Sequence, residues 1–247
     1  MKLLLFSVLF PFLLISQEFE LIQYSRDPIH SRALTIYNEQ LFIGTNNGQL
    51  FVYPLNDSSL AKPYFLNRLF PEIRDIHCDK NGIILMQTGD FASLIKIDSN
   101  GVLKQEPYYS SSDSNKTLFL DGIDFENNLG FLMGDPFDGF FSLFYSEDNG
   151  LSWKSCLTKI PAIDGEAAFA ASGTTVKISN GDFIFVSGGK QARFFKSSDM
   201  GISWTISPLP FPSSESSGPY SLAMIDGKNG IVVGGDYTQP NYKQNTS

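Results

Sequence analysis

The chain has 247 residues, a formal net charge of −8, 42% apolar residues and 18% charged residues. That excludes wholesale disorder and leaves room for one large domain or two small ones. The acidic balance excludes a polyanion grip, so no nucleic acid is expected as a partner. Two His and two Cys leave a metal site of the usual kind almost no ligands, and no cofactor or metal is expected. With 22 Phe, 21 Gly and 13 Pro, the composition favours short strands and tight turns over long helices.

The N-terminus opens with Lys2 and an apolar run from Leu3 to Ile15, interrupted by Ser7 and Pro11. At roughly 1.5 Å per residue the run is too short to cross a hydrocarbon core of about 30 Å. Its basic start and its polar exit at Ser16-Gln17-Glu18 read as a cleavable signal peptide over residues 1–16, ahead of one domain over 17–247. No later stretch reaches the roughly 20 apolar residues of a membrane helix. The mature protein is therefore expected to be secreted or periplasmic, with no membrane partner. Cys78 and Cys156 either pair in such a compartment or stay apart as small buried hydrophobes. Asn56-Asp57-Ser58, Asn115-Lys116-Thr117 and Asn245-Thr246-Ser247 fit the glycosylation pattern.

From residue 40 onward one short pattern recurs: a turn, three or four apolar residues, then Gly. It ends at Gly44, Gly89, Gly134, Gly188 and Gly234, with intervals of 45, 45, 54 and 46 residues. A period near 45 suits a propeller blade of four short strands. Within a unit, an inner strand (Arg74–Cys78, Tyr220–Ile225) precedes the apolar strand before the Gly. A third strand (Leu94–Ile97, Ser142–Ser146) and an outer one (Ser152–Ser155) follow. Glu166–Ser172 is Ala-rich and reads as one helical turn. The fold expected is all-β, a β-propeller of four-stranded blades. About five blades are present, the last lacking its outer strands, as in an incomplete six- or seven-bladed ring. Phe19–Tyr24 could lend that last blade a strand.

Two octapeptides repeat across one unit: Ser146-Glu147-Asp148-Asn149-Gly150-Leu151-Ser152-Trp153 and Ser197-Ser198-Asp199-Met200-Gly201-Ile202-Ser203-Trp204. Both read S-x-D-x-G-x-S-W and resemble the Asp box, or BNR repeat, of sialidase-like propellers. The resemblance implies structural rather than catalytic roles. Asp148 and Asp199 would accept backbone N–H groups of their turns, Gly150 and Gly201 would supply positive φ, and Trp153 and Trp204 would pack beneath. Met133-Gly134-Asp135-Pro136, Gly165–Thr174 and Val233-Gly234-Gly235-Asp236-Tyr237 look like a family of exported bacterial propellers. Its members are labelled oxidoreductase or likened to the photosystem II stability and assembly factor. No G-x-G-x-x-G after a strand and no C-x-x-C supports redox chemistry here. The few arginines set the chain apart from assembly factors that hold their client through basic residues.

Two functions remain. One is a binding scaffold that holds a protein or glycan on its loop face, with Asp135, Glu166, Arg193 and Asp236 as ligand-binding candidates and Tyr108-Tyr109 and Tyr237 as contacts. The other is a sialidase-like glycoside hydrolase, which needs two carboxylates across a cleft and arginines to clamp an acidic sugar. Asp135, Glu166 and Asp236 are the available acids. The five arginines, 26, 32, 68, 74 and 193, form no recognisable clamp, and no catalytic residue is assigned. The scaffold reading is preferred.

Overall fold

A computed structural model describes residues 30–55, 62–64, 72–88, 92–97, 103–107, 118–169 and 173–241. The expected signal peptide, the strand expected at Phe19–Tyr24, Gly89, Tyr108-Tyr109 and the three glycosylation patterns lie outside them. Among the described residues every regular element is a strand, and the strands form five antiparallel sheets in chain order. Ser31–Tyr37 (β1), Gln40–Thr45 (β2), Leu50–Pro54 (β3) and Lys62–Tyr64 (β4) make the first sheet. Ile73–Asp79 (β5), Gly82–Gln87 (β6), Ser93–Ile97 (β7) and Leu103–Pro107 (β8) make the second. Leu120–Glu126 (β9), Leu129–Phe137 (β10), Phe140–Ser146 (β11) and Lys154–Ser155 (β12) make the third. The fourth holds Glu166–Ala167 (β13), Val176–Ser179 (β14), Asp182–Gly189 (β15), Arg193–Ser197 (β16) and Thr205–Pro208 (β17). Ser217–Met224 (β18) and Gly230–Asp236 (β19) form a lone hairpin. One inner strand of each sheet touches its counterpart in the next, β1 to β5, β5 to β9, β9 to β14 and β14 to β18. Sheets stacked this way around a common centre are the blades of a β-propeller.

Two-residue turns close the inner hairpins of the first four blades, and their sequences suit them. Asn38 and Glu39 have φ of 47° and 57°, and Asn127 and Asn180 have φ of 56° and 54°. Asn tolerates this left-handed region, and such turns match the twist of paired strands. In the first four blades the strands after these turns have apolar centres because neighbours cover both of their faces. Phe42 and Leu50 of the first blade meet Ile73, Leu85 and Ile95 of the second. Ile84, Met86 and Leu94 of the second meet Leu120, Ile123 and Leu132 of the third. Phe131, Met133 and Phe141 of the third meet Val176, Phe183 and Phe185 of the fourth. A smaller cluster of Ile184, Val186 and Leu222 joins the fourth blade to the last hairpin. The core is therefore four slabs between sheets. Cys156 is buried in the third slab and Cys78 packs beside the first; both thiols are free, and burial pushes each up to about 12.

Three details differ from the sequence expectations. The described repeat glycines, Gly44, Gly134, Gly188 and Gly234, lie on the strands that follow the inner turns but not on one rung. Gly44 is four residues past the hairpin-closing Gln40, Gly134 five past Leu129 and Gly188 six past Asp182. Each marks instead a place where other atoms press on the strand: Ile73 of the next blade at Gly44, Phe169 at Gly188. Glu166-Ala167 is a short strand paired with Gly188 and Gly189, not a helical turn, because its backbone closes the edge of β15. Ser152 is drawn into a turn, so the outer strand of the third blade is only Lys154–Ser155.

The end blades keep apolar faces open: Leu34 and Ile36 are 61% and 63% exposed, and Ile231 and Val233 are 57% and 43% exposed. Phe185, fully buried and stacked on Phe195 at 4.1 Å between centroids, is the opposite case. Phe185→Ala should cost about 3–5 kcal/mol, whereas Ile36→Ala should stay within about 0.5 kcal/mol. Urea unfolding of the two variants measures the contrast.

Candidate functional site

The ends of the second strands and the connections between blades gather at one end of the sheets, and all four candidate residues are there. Asp135 lies near the end of β10, Glu166 opens β13, Arg193 opens β16 and Asp236 closes β19. The structure joins two of them directly. Arg193 donates Nε to Glu166 Oε1 at 2.7 Å and a terminal nitrogen to Oε2 at 2.5 Å, the two-pronged geometry that suits a guanidinium and a carboxylate. The same carboxylate accepts the Ser187 hydroxyl and the Ile163 amide, the latter at 2.8 Å. Arg193 also donates to Pro161 O at 2.9 Å and lies over the Phe195 ring at 4.7 Å. Glu166 is 5% exposed. Its charge is spent holding the long connection onto the fourth blade.

Asp135 is tied to the same connection, accepting the Ala168 amide at 2.9 Å. Burial raises its pKa above the ordinary range despite that bond. Asp236 is the one candidate acid open to solvent. Its carboxylate accepts the Thr238 hydroxyl at 2.6 Å and the Thr238 amide at 2.9 Å, and the hydroxyl bond leads in pulling its pKa down. Beside it Tyr237 is 63% exposed, its ring edge-on to Phe169 at 6.3 Å. Asp164 and Glu215, with side chains 99% and 83% exposed, flank Lys190 at 3.5 and 4.0 Å. Ser216 connects the two groups, since its carbonyl accepts the Tyr237 amide.

Two further acids belong to the innermost strands. Asp75 accepts its neighbour Ile76 N at 2.8 Å and, across the blade boundary, Ile123 N at 2.9 Å. Burial pushes its pKa up to about 7, with Asp124 adding repulsion and the two amides pulling back. Asp121 is fully buried, and neither carboxyl oxygen has a hydrogen-bond partner among the described residues. Burial raises its pKa well above the usual range, the nearby Asp135 reinforces that, and Arg74 opposes it. A signal for both was present in the sequence: an acid inside an apolar inner strand, Ile73-Arg74-Asp75-Ile76 and Leu120-Asp121-Gly122-Ile123, must be neutral or multiply bonded.

The octapeptides close the third strand onto the fourth at the other end of the sheets. Ser146 Oγ accepts Gly150 N at 2.8 Å and donates to Asp148 Oδ1, which also accepts Ser152 N at 2.8 Å. The second turn repeats these bonds through Ser197, Gly201, Asp199 and Ser203. Led by the Ser203 donors, they hold Asp199 down to about 2. Each turn also grips the preceding blade. Lys96 donates to Asn149 O at 2.5 Å, and a Cβ on Gly150, which has φ of 73°, would strike Ile84. Thr158 N donates to Gly201 O at 3.2 Å, and Gly201 packs on Cys156. Trp153 joins the slab between the second and third blades; Trp204 reaches Phe131 at 6.0 Å and Phe185 at 5.4 Å.

No protein-family model and no curated protein matches the sequence. Among solved structures, the chain is similar to the extracellular domain of BT4673 from B. thetaiotaomicron, described as a one-component system in one structure and a hybrid two-component system in another. The TM-scores are 0.61 and 0.62 at 17% and 16% identity, over 87% of this chain in both cases. The chain spans only 28% and 27% of those proteins. It is also similar to the Cps50 (Swd1) β-propeller domain of Myceliophteria thermophila, with a TM-score of 0.52, 10% identity, and coverage of 83% of this chain and 66% of that one. At these identities the likeness defines the fold, a β-propeller. No helix among the described residues is long and apolar enough to cross a membrane.

Asp75 gives this fold a pH dependence. Its folded pKa, about 7, stands above the roughly 3.9 of an unfolded Asp. Between those values the native state holds the extra proton, so this residue's contribution to stability is full below about pH 4 and is lost as pH rises toward 7. Asp75→Asn should flatten that decline of a few kcal/mol in denaturation midpoints measured from about pH 4 to 8. An unchanged slope in the variant would remove Asp75 as its source.

Proposed function

We propose that the chain is the binding part of an exported Asp-box propeller, released from a leader at residues 1–16, and that its loop-bearing end holds the basic surface of a protein partner. The observation that supports this most is the exposed acidic rim. Asp164 and Glu215 flank Lys190, and Asp236 precedes the exposed Tyr237, whose amide is bonded to Ser216, the neighbour of Glu215. An exposed aromatic ring beside an acid offers a contact for a cationic side chain, and a rim of acids steers a basic partner inward. Asp135 and the Glu166–Arg193 pair hold the rim in place from beneath. The extracellular origin of the B. thetaiotaomicron neighbours fits an exported binding role.

Glycoside hydrolysis finds less support. It needs two carboxyl groups free to face a cleft, about 5–10 Å apart. Glu166 is already filled by donors from Arg193, Ser187 and Ile163, and Asp121, the most strongly raised acid of this end, is fully buried.

A fluorescent decalysine peptide tests the rim. The triple variant Asp164→Asn, Glu215→Gln, Asp236→Asn should weaken its binding about tenfold at low salt, three surface charges being worth up to about 1 kcal/mol each. Glu147→Gln with Asp226→Asn, at the opposite end, should leave it unchanged. Equal losses in both variants would mean unspecific attraction and overturn the assignment.

A further inference from the structure

The opposite end of the sheets carries a cavity of about 320 Å³ over the inner hairpins of the first three blades. Tyr37 comes from the first blade, His77, Asp79, Lys80 and Asn81 from the second, and Asn127 with Asn128 from the third. We propose that this cavity is a binding site for one neutral hexopyranose unit, separate from the rim at the other end.

The size is at the lower limit of ligand pockets, enough for a single sugar ring. The lining carries one acid, Asp79, and one base, Lys80, with no arginine fork for phosphate or carboxylate. What remains is amide and phenol chemistry. Asn127, Asn128 and Tyr37 each present groups that donate and accept, as a sugar hydroxyl does. The rings of Tyr37 and of His77, the latter stacked on Phe125 at 4.3 Å, offer flat surfaces for the C–H face of a pyranose. Burial lowers the pKa of His77, which favours an uncharged ring beside an uncharged ligand.

The site is also preorganised. Asp79 accepts the Asn81 backbone and side-chain amides at 2.7 and 2.8 Å. Asn81 donates on to Asn149 Oδ1 at 3.0 Å, and Asn149 N donates to Asn128 O at 3.0 Å. The second- and third-blade hairpins are thus cross-braced through the first octapeptide turn. A rigid frame limits the ordering that binding must cost.

Titrations of the folded protein with methyl glucoside, methyl mannoside, methyl galactoside and N-acetylglucosamine, each to about 50 mM, followed by NMR of side-chain amides, test the proposal. At least one sugar should shift the Asn127 and Asn128 amides saturably with a millimolar Kd. Tyr37→Phe and Asn128→Ala should each weaken it by about fivefold, a loss of one hydrogen bond, while the amide spectrum elsewhere stays native. Glucose 6-phosphate should bind no more tightly than glucose. Absence of saturable shifts with all four sugars, titrations unaltered by both variants, or a preference for the phosphorylated sugar would each overturn it.

Discussion

A small antiparallel sheet whose two faces are both apolar cannot hold itself in water, and the described residues are built mainly of such sheets. Each blade is stable to the extent that a neighbour covers it, because the apolar clusters lie between sheets and none lies within one. The consequences reach every other feature. Strand composition, the glycines at points of close approach and the buried acids on the inner strands all answer to the need to bring one sheet against the next. Where the stack ends, Leu34, Ile36, Ile231 and Val233 remain in solvent.

Polar groups supply what slabs of Phe, Leu and Ile cannot, a fixed register between blades. Asp75 reaches Ile123 N, and in the next boundary Asp124 accepts Ile178 N at 2.7 Å and pairs with Lys177 at 3.1 Å. The octapeptide turns work at the same boundaries from the outer edge. Their internal bonds leave Asn149 O and Gly201 O pointing at Lys96 and Thr158 of the preceding blade. The same bracing makes both ends of the sheets rigid platforms. The rim at one end and the hairpin cavity at the other therefore both rest on a braced frame.

Much of this was legible in the sequence. The spacing of the glycine-ended apolar runs and the paired octapeptides point to blades and to their order. The exact rung of each glycine was not legible, because bulges at Ala33, Asp75, Gly134 and Ser221 shift pairing without altering the apolar pattern. Glu166-Ala167 was misread because Ala-rich sequence suggests helix when nothing shows that a strand edge awaits it. The three candidate acids and Arg193 lie at one end of the sheets, but their partners were not readable. Only coordinates show that Glu166 and Arg193 satisfy each other while Asp236 stays open. The cavity over the hairpins escaped notice because its residues come from three blades, and its Asn-rich turns read simply as turn chemistry.

That the blades are locked across their boundaries, and not merely folded side by side, is most directly measured by a double-mutant cycle between Trp204 of the fourth-blade turn and Phe131 of the third blade, whose rings are 6.0 Å apart. Denaturation of Trp204→Leu, Phe131→Leu and the double variant should give a coupling energy of about 0.5–1.5 kcal/mol. Strictly additive losses would contradict the account, showing that the turn stabilises its own blade alone.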